Sequence, residues 1–228
     1  MMTRVDSTYT PPAGYHFLTP FYDLGVAWTT RERRWRQVLI DNMALTDADV
    51  LLDVGAGTGN LAAMLPRQAS GARYLGIDPD EAAIAIARRK IRHNLPQPEF
   101  RVGLFSTESL GDWPQPSKIA LCLVLHQVSL EEKARLLREC WQALPDLGEL
   151  YIADYGEQHS WLMRLLFRLT IQRLDGKADT QPNADGLLPV LMREAGFGKI
   201  SELARFHTIT GSISILSAQK TRGKSSPA

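Results

Sequence analysis

The sequence is poor in cysteine, with only Cys122 and Cys140 among 228 residues. Each lies alone in an apolar segment, and neither belongs to a Cys-x-x-Cys or Cys/His pattern. The sequence therefore predicts no metal site and no disulfide framework. Two isolated thiols suit a reducing compartment, so we expect a cytoplasmic protein.

Long hydrophobic runs are also missing. The longest, IALCLVL at 119–125, is far shorter than the ~20 apolar residues that a membrane-spanning helix needs. Residues 1–14 lack the apolar core of a signal peptide. These absences predict a soluble protein without a transmembrane segment.

An excess of charge of one sign is absent as well, because 26 basic residues against 25 acidic ones leave a formal charge of +1. No overall field then favours nucleic acid or an anionic membrane as a partner. The basic runs RERRWR (31–36) and ARRKIRH (87–93) are interpreted as solvated helix faces.

What the sequence does have is a regular alternation of short apolar runs and helical periods. This alternation is typical of an α/β fold, here a Rossmann-like three-layer sandwich whose parallel strands are covered on both faces. The predicted strands are VLLDV (50–54), YLGID (74–78), FRVGLF (100–105), IALCLVL (119–125) and ELYIADY (149–155).

Capping boxes mark two helix starts, Thr29 with Glu32 and Ser129 with Glu132. Near the end of the chain, KISELARF (199–206) and SISILSAQ (212–219) alternate apolar and polar residues around a turn near Gly211, which predicts an antiparallel hairpin. The polar ends, 1–14 and 220–228, are predicted to be flexible tails of one domain spanning 1–228.

The stretch LLDVGAGTGNL (51–61) places Gly55, Gly57 and Gly59 between a predicted strand and a predicted helix. Glycines there let a ligand approach the backbone closely, although a tight turn without a ligand is the alternative. Asn60 follows the last glycine, so the third glycine position of the dinucleotide fingerprint is missing. Asp53 would repel a pyrophosphate and favour an ammonium or sulfonium centre.

Asp78 lies nineteen residues after Gly59, close to the spacing at which an acidic residue binds a ribose diol in nucleotide folds. The alternative is a helix start with Asp78 as the N-cap, Pro79 as the first helical residue and Asp80 on the solvated surface. The two roles compete for the same carboxylate oxygens.

Several of these stretches together resemble the successive motifs of class I S-adenosylmethionine-dependent methyltransferases. They are VLLDVGAGTGNL, YLGIDPD, IALCLVLHQV and LGELYIADYG. FYDLGVAW (21–28) and FHTITGSISILSAQK (206–220) resemble most the branch that contains the ubiquinone/menaquinone methyltransferases. The resemblance covers about residues 20 to 220, and it implies S-adenosylmethionine as cofactor and a seven-stranded, mostly parallel sheet with an antiparallel last strand.

The resemblance also assigns the cofactor site residue by residue. It implies that Asp53, Gly55, Ala56 and Gly57 hold the methionine end of the cofactor. Asp78, with the adjacent Pro79, would bind the ribose hydroxyls, and the end of the fourth strand near Leu123 would lie below the sulfonium.

The sequence departs from the family after the third strand, where many relatives carry an acid that accepts the adenine amino group. Here the stretch reads GLFSTESL (103–110). Phe105 could stack on the adenine and Ser106 could accept a hydrogen bond, whereas Glu108 is interpreted as a surface residue.

Methyl transfer is an in-line displacement that depends mostly on positioning, and a base helps when the acceptor is a phenol or an acidic carbon. Four residues are candidates for that catalytic role: His126, Asp154, Tyr155 and Tyr22. The alternative for His126 is a hydrogen-bonded histidine at the end of a strand. LHQV (125–128) lacks the Pro-Pro-aromatic signature of base-amine methyltransferases, so no nucleic-acid substrate is expected.

The segment SWLMRLLFRLTIQRL (160–174) is apolar around most of its circumference. It could be a helix packed on the domain, a lid over an apolar acceptor, or a basic amphipathic helix that rests on lipid as a peripheral membrane contact. The polar stretch 175–186 is interpreted as its hinge, and 155–186 as a lid or insert.

Taken together, the sequence predicts S-adenosylmethionine-dependent methyl transfer to a small, apolar or amphiphilic acceptor. A nicotinamide-dependent oxidoreductase and a noncatalytic cofactor-binding interaction domain remain as alternatives. The sequence does not indicate an oligomeric state.

Overall fold

One sheet organises the part of the chain that the computed structural model describes, residues 31–65, 71–91 and 98–221. Its strands in these ranges are β1 (Val50–Val54), β2 (Arg73–Asp78), β3 (Glu99–Val102), β4 (Lys118–Cys122), β5 (Glu149–Tyr155), β6 (Phe197–Thr208) and β7 (Gly211–Lys220). They are ordered β3-β2-β1-β4-β5-β7-β6. Neighbours from β3 to β5 pair in parallel, whereas β7 runs antiparallel to both β5 and β6. The predicted seven-stranded sheet with an antiparallel last strand is confirmed.

Helices cover both faces of this sheet. The described α-helices are α1 (Glu32–Met43), α2 (Asn60–Met64), α3 (Glu81–Lys90), α4 (Leu130–Ala143), α5 (Trp161–Leu169), α6 (Ile171–Leu174), α7 (Lys177–Ala184) and α8 (Leu188–Glu194). Two 3₁₀ helices lie at Thr107–Leu110 and Leu125–Gln127. Within these ranges, no helix is long and apolar enough to cross a membrane.

The core is divided by the sheet into two apolar clusters. Leu51 belongs to the cluster with Trp35 of α1, whereas the next residue, Leu52, belongs to the cluster with Leu137 of α4. Successive side chains of a strand point to opposite faces, so a strand that buries both must be covered on both. The three-layer arrangement predicted from the sequence is therefore confirmed.

Local capping signals give mixed results. Ser129 caps α4 as predicted, because its Oγ accepts the Glu132 N–H at 3.2 Å. Glu32 has a different role from the predicted one. It is buried at the start of α1, where its carboxylate accepts hydrogen bonds from Arg36 and Asn60. Its predicted partner Thr29 lies outside the described residues.

The predicted helix 160–174 is two helices. Thr170 separates α5 from α6 with φ −113° and ψ −83°, and its hydroxyl donates to the Leu166 carbonyl at 2.7 Å. Most of the polar stretch 175–186 is helix α7, which buries Thr180 and Asn183, and its role as a hinge stays a prediction. The Thr170 hydroxyl explains the break between α5 and α6, because side chains that hydrogen-bond to neighbouring backbone compete with regular helix.

The first residue of the predicted C-terminal tail, Lys220, belongs to a strand. Strand β7 continues through Lys220, whose Nζ donates to the Leu144 carbonyl at 2.7 Å. Residues 222–228 and the predicted N-terminal tail, 1–14, lie outside the described residues. The same holds for Tyr22, one of the four catalytic candidates.

Candidate functional site

The glycine-rich turn follows β1 at the carboxyl edge of the sheet. Strand β1 pairs with β2 on one side and with β4 on the other, so the turn lies where the strand order reverses. Ligands of open α/β sheets bind at this kind of position. Gly55, Gly57 and Gly59 all have left-handed φ values, +74°, +52° and +78°.

The three glycines are needed for different reasons. A Cβ on Gly55 would lie 2.3 Å from Val124 Cγ2, and one on Gly59 would lie 3.0 Å from Ala87 Cβ. A Cβ on Gly57 would meet nothing within 4 Å. Internal packing therefore explains Gly55 and Gly59, and only Gly57 leaves bare backbone open to a ligand.

Ala56 packs the glycine turn against strand β2. It is buried, and Gly76 of β2 has no side chain where the Ala56 methyl lies, since a Cβ there would be 2.8 Å away. The N–H groups of Gly55 and Ala56 both donate to the Ile77 carbonyl, at 2.8 and 3.1 Å. These two predicted cofactor residues thus fix the position of Gly57 through the backbone.

Asp78 holds the same turn from the end of β2. Its Oδ2 accepts the Gly57 N–H at 2.8 Å, and its Oδ1 accepts the Asp80 N–H at 2.9 Å. The alternative interpretation of Asp78 as the helix cap is wrong: Asp80 caps α3, accepting the N–H groups of Ala82 and Ala83. Pro79, half-buried, separates the two carboxylates.

Asp53 lies in β1 just before the turn, and only 1 % of it is exposed. Its Oδ2 accepts the Tyr74 hydroxyl at 2.6 Å, whereas its Oδ1 has no hydrogen-bond partner among the described residues. Burial raises the pKa of Asp53 to about 6, although the Tyr74 hydrogen bond and the charge of Arg36 act in the opposite direction. A buried carboxylate oxygen without a partner is costly, and a cationic donor would satisfy it.

Arg36 of α1 is the neighbouring positive charge, and the interpretation of RERRWR as a solvated face is wrong at this residue. Arg36 is buried, its Nε donates to Glu32 Oε1 at 2.6 Å, and its guanidinium lies 4.6 Å from the centre of the Trp35 ring. Glu32 also accepts from Asn60 Nδ2 at 3.0 Å, which links α1 to the helix after the glycine turn. The i, i+4 spacing of Glu32 and Arg36 was the available sequence signal.

Leu123 follows β4 in a strained conformation. Its φ of +58° lies in the left-handed region, and its N–H donates to the Ala153 carbonyl at 2.8 Å. Strain of this kind persists only where the surroundings enforce it, and it is concentrated at functional sites. The next residue, Val124, fills the space above Gly55, so this strained turn lies against the glycine turn.

His126 and Asp154, two of the separately predicted catalytic candidates, form a buried pair. His126 Nδ1 lies 2.7 Å from Asp154 Oδ1, and the other carboxylate oxygen, Oδ2, accepts the Leu125 N–H at 2.7 Å. Asp154 Oδ1 also accepts the Tyr155 N–H. A carboxylate held by several donors fixes the imidazole, with the proton on Nδ1.

The second nitrogen of His126 points at another carboxylate. Its Nε2 lies 3.6 Å from Oδ2 of Asp175, the residue that follows α6, and only 1 % of His126 is exposed. Burial lowers the pKa of His126, but Asp154 and Asp175 raise it more, so the net shift is upward. For Asp175, whose charged form is an anion, burial raises the pKa.

Tyr155, the third described catalytic candidate, lies beside the pair with its hydroxyl turned away. Its ring meets the His126 ring edge-on at 4.9 Å, and its hydroxyl pairs with Thr210 Oγ1 at 2.8 Å. Burial raises the pKa of this hydroxyl well above its usual range. Tyr155 therefore lines the site with its ring, and Phe167 of α5 packs on it at 5.2 Å.

Polar residues that sequence reasoning missed close the site from α4 and α7. Lys133 is buried and donates to the carbonyls of Val128 and Asp179, the latter at 2.7 Å; burial lowers the pKa of Lys133 to about 8. Asn183 donates to the Tyr155 carbonyl at 2.9 Å, and its Oδ1 has no partner among the described residues. No local sequence signal separates such residues from ordinary surface polar residues.

The predicted adenine contacts lie after β3. Phe105 is buried in the cluster with Ile77, and its carbonyl accepts a hydrogen bond from Arg135 at 3.1 Å. Ser106 precedes the first 3₁₀ helix, with its N–H donating to Ser109 Oγ at 3.2 Å. Glu108 is exposed, in agreement with its interpretation as a surface residue. Adenine binding by Phe105 and Ser106 stays a prediction.

Comparisons with known proteins point to one family. Residues 52–150 match the model of a family described as a methyltransferase domain. The chain is 28 % identical over 143 residues to a demethylmenaquinone methyltransferase of Thermus thermophilus, covering 62 % of this chain and 63 % of that protein. It is 25 % identical over 123 residues to the demethylmenaquinone methyltransferase of Thermotoga maritima, covering 54 % of this chain and 51 % of that protein. The match thus spans between half and two thirds of these curated relatives.

A solved structure shows the same fold. The magnesium protoporphyrin IX methyltransferase of Synechocystis, with bound S-adenosylhomocysteine (SAH), superposes with a TM-score of 0.60 at 19 % identity. The superposition covers 89 % of this chain and 83 % of that one.

Proposed function

We propose that this chain, a member of the class I S-adenosylmethionine-dependent methyltransferases, transfers a methyl group to a small apolar or amphiphilic acceptor. The motif match supports the reaction class, and the names of the curated relatives support a quinone-related aromatic ring as the acceptor. The observation that carries the proposal is Oδ1 of Asp53, which is buried just before the glycine turn and has no hydrogen-bond partner in the described part of the chain.

The residues fit S-adenosylmethionine better than a nicotinamide dinucleotide. The cofactor carries an ammonium group, which can donate to Asp53 Oδ1, whereas a pyrophosphate would place negative charge beside this carboxylate. Gly57 presents bare backbone for close approach, and Asp78 has carboxylate lone pairs left for ribose hydroxyls. When bound, the cofactor supplies a methyl group on a positively charged sulfur.

In this proposal, His126 accepts the proton that an acidic acceptor loses, and Asp154 holds its ring. Because the Nδ1–H of His126 donates a hydrogen bond to Asp154, Nε2 is the basic atom of the ring. The Asp175 carboxylate occupies the approach to Nε2, at 3.6 Å. Access for an acceptor therefore requires Asp175 to move, and the adjacent Gly176, with φ +85°, is a residue that tolerates such a change.

The acceptor's ring would lie against an aromatic wall. Tyr155 and Phe167 are packed at 5.2 Å, and Tyr155 also contacts His126. Aromatic side chains bind apolar rings through large contact areas and offset or edge-on geometries. A hydroquinone combines such a ring with hydroxyl groups that release a proton when the ring is methylated, so it suits both the wall and the base.

Calorimetry with SAH and with NAD tests the cofactor assignment. We expect the wild-type protein to bind SAH and not NAD, and we expect Asp53→Asn to lose most SAH affinity. Asp80→Asn is the matched control, since Asn caps a helix as well as Asp does. Binding of NAD but not of SAH would overturn the proposal.

Turnover with labelled S-adenosylmethionine and a reduced 1,4-naphthoquinone tests the reaction. We expect methylated product with the wild type and at least a hundredfold slower transfer with His126→Asn, whose SAH affinity should be unchanged. SAH binding without transfer to any hydroquinone, phenol or amine acceptor would instead favour a noncatalytic cofactor-binding domain.

A further inference from the structure

Helix α5 presents an apolar face to solvent. Four of its residues are unusually exposed for their type, Trp161 at 75 %, Leu162 at 44 %, Leu165 at 39 % and Leu169 at 52 %. At 3.6 residues per turn, these side chains fall within about 100° of the helix circumference. They form one continuous stripe, which we call the α5 stripe.

The opposite side of α5 is firmly packed, so the stripe is not a consequence of a loose helix. Phe167 is buried against Tyr155, and a Cβ on Gly211 of β7 would lie 3.1 Å from its ring. Ser160 caps the helix by accepting the Met163 N–H at 3.2 Å. The apolar stripe is therefore displayed on a rigid support.

A further exposed apolar residue lies on the hairpin next to α5. Ile209, at the tip of the β6–β7 hairpin, is 58 % exposed. The neighbouring Thr210 carbonyl accepts the Thr170 hydroxyl at 3.3 Å, which ties the hairpin tip to the end of α5. Helix and hairpin thus present apolar side chains from one connected region.

The segment that carries the stripe contains charge of one sign only. Residues 161–174 contain Arg164, Arg168 and Arg173 and no aspartate or glutamate, although the whole chain is nearly neutral. On the helical projection, Arg164 and Arg168 border the stripe on one side. Arg164 makes a long ion pair with Asp185 at 3.8 Å, and the ion pairs of the described ranges include none with Arg168 or Arg173.

We propose that the α5 stripe, with Ile209, docks on the surface of a bilayer that contains anionic phospholipid. An exposed apolar stripe that carries tryptophan and is bordered by arginine matches helices that lie in the membrane interface. The complementary partner for Arg168 and Arg173, which make none of the ion pairs of the described residues, is a negatively charged surface, and lipid headgroups provide one without requiring a shaped groove. Docking would place the aromatic wall and His126 close to an apolar phase.

Vesicle flotation with the full chain tests this surface. We expect binding to vesicles of phosphatidylcholine and phosphatidylglycerol at 7:3, weaker binding at 0.5 M salt, and little binding to phosphatidylcholine alone. Leu165→Glu should reduce binding at least tenfold, and the double variant Arg168→Gln/Arg173→Gln should reduce it about tenfold while keeping the apolar stripe.

Val190→Glu is the matched control. Val190 is 44 % exposed, a fraction similar to the 39 % of Leu165. It lies on α8, whose buried residues belong to the apolar cluster on the opposite face of the sheet from Phe167. We expect Val190→Glu to bind vesicles like the wild type. All variants should bind SAH unchanged, so a failed docking surface is distinguishable from a failed cofactor site.

Three results would overturn the proposal: no binding of the wild type to anionic vesicles, equal loss in Val190→Glu and Leu165→Glu, or a stable dimer that Leu165→Glu dissociates. The last result would assign the stripe to a second copy of the chain. The arginine variant keeps the test informative if Leu165→Glu disturbs folding.

Discussion

Protonation of Asp53 should weaken the binding of SAH below about pH 6. The carboxylate has one buried oxygen without a partner among the described residues, and burial raises its pKa to about 6. The ligand's ammonium group interacts with the ionised form only. Binding on the acid side of this pKa must therefore release a proton, which lowers the observed affinity.

The size of the effect follows from the fraction of ionised Asp53. With a pKa of about 6, the group is about 90 % ionised at pH 7 and about 10 % ionised at pH 5. Affinity for SAH should therefore fall about tenfold between these pH values. It should also fall at alkaline pH, where the ligand's amino group loses its own proton.

Asp53→Asn should separate affinity from stability. Removing a charged partner from a buried contact costs about 2 kcal/mol or more, which is about 30-fold in affinity at pH 7. The unliganded variant should nevertheless be more stable. Between about pH 4 and 6, the wild-type Asp53 is protonated in the folded state and ionised in the unfolded state. The free energy of unfolding therefore falls as pH rises through this window, by about 3 kcal/mol for a pKa difference of about two units.

Titration calorimetry at pH 5, 6, 7 and 8 measures the affinity, and two buffers of different ionisation enthalpy measure the released proton. Tyr74→Phe is the matched control: it keeps the ring but removes the hydrogen bond that lowers the Asp53 pKa, so the acid limb should move to higher pH. An affinity that is flat between pH 5 and 7 in the wild type, or unchanged in Asp53→Asn, would refute the assignment of Asp53 to the ammonium group.

Three further predictions concern single elements of the site. Gly57→Val should weaken SAH binding at least tenfold in calorimetry with a loss of only about 1–2 kcal/mol in stability, since its Cβ meets open space at φ +52°. Phe167→Ala should lower the free energy of unfolding in urea by about 3–5 kcal/mol, because the ring is buried against Tyr155. The contribution of His126 to stability should be full at acid pH and lost as pH rises through its raised pKa; urea titrations of His126→Gln should lack this loss.

The sheet and the glycine turn were predictable because their signals are local. Strand runs, the Ser129 cap and the position of Asp53 two residues before Gly55 depend on spacing along a few residues. Such patterns are set by backbone geometry and depend little on contacts that are distant in the chain. The antiparallel last strand needed the family resemblance, because hairpin pattern alone does not give its place in the sheet.

The choice between Asp78 and Asp80 was not predictable in this way. Both carboxylates stand near the start of α3, and either one could cap a helix. Asp78 is withdrawn from capping by the Gly57 N–H, which lies 21 residues earlier in the chain and reaches it only in the folded sheet. The same reason explains the buried Lys133, because the Asp179 carbonyl that accepts its hydrogen bond lies on α7 and reaches it only in the folded chain.

The two halves of the site are mechanically joined through one side chain. Val124 fills the space where Gly55 lacks a Cβ; it directly follows the strained Leu123, and it lies two residues before His126. A methyl group at Gly55 would have to displace Val124 by about 1 Å to restore ordinary contact distances. That shift would act directly on the 3₁₀ helix that aligns His126 with Asp154. The position of the glycine turn is therefore coupled to that of the His126–Asp154 pair, and a substitution at Gly55 should disturb both.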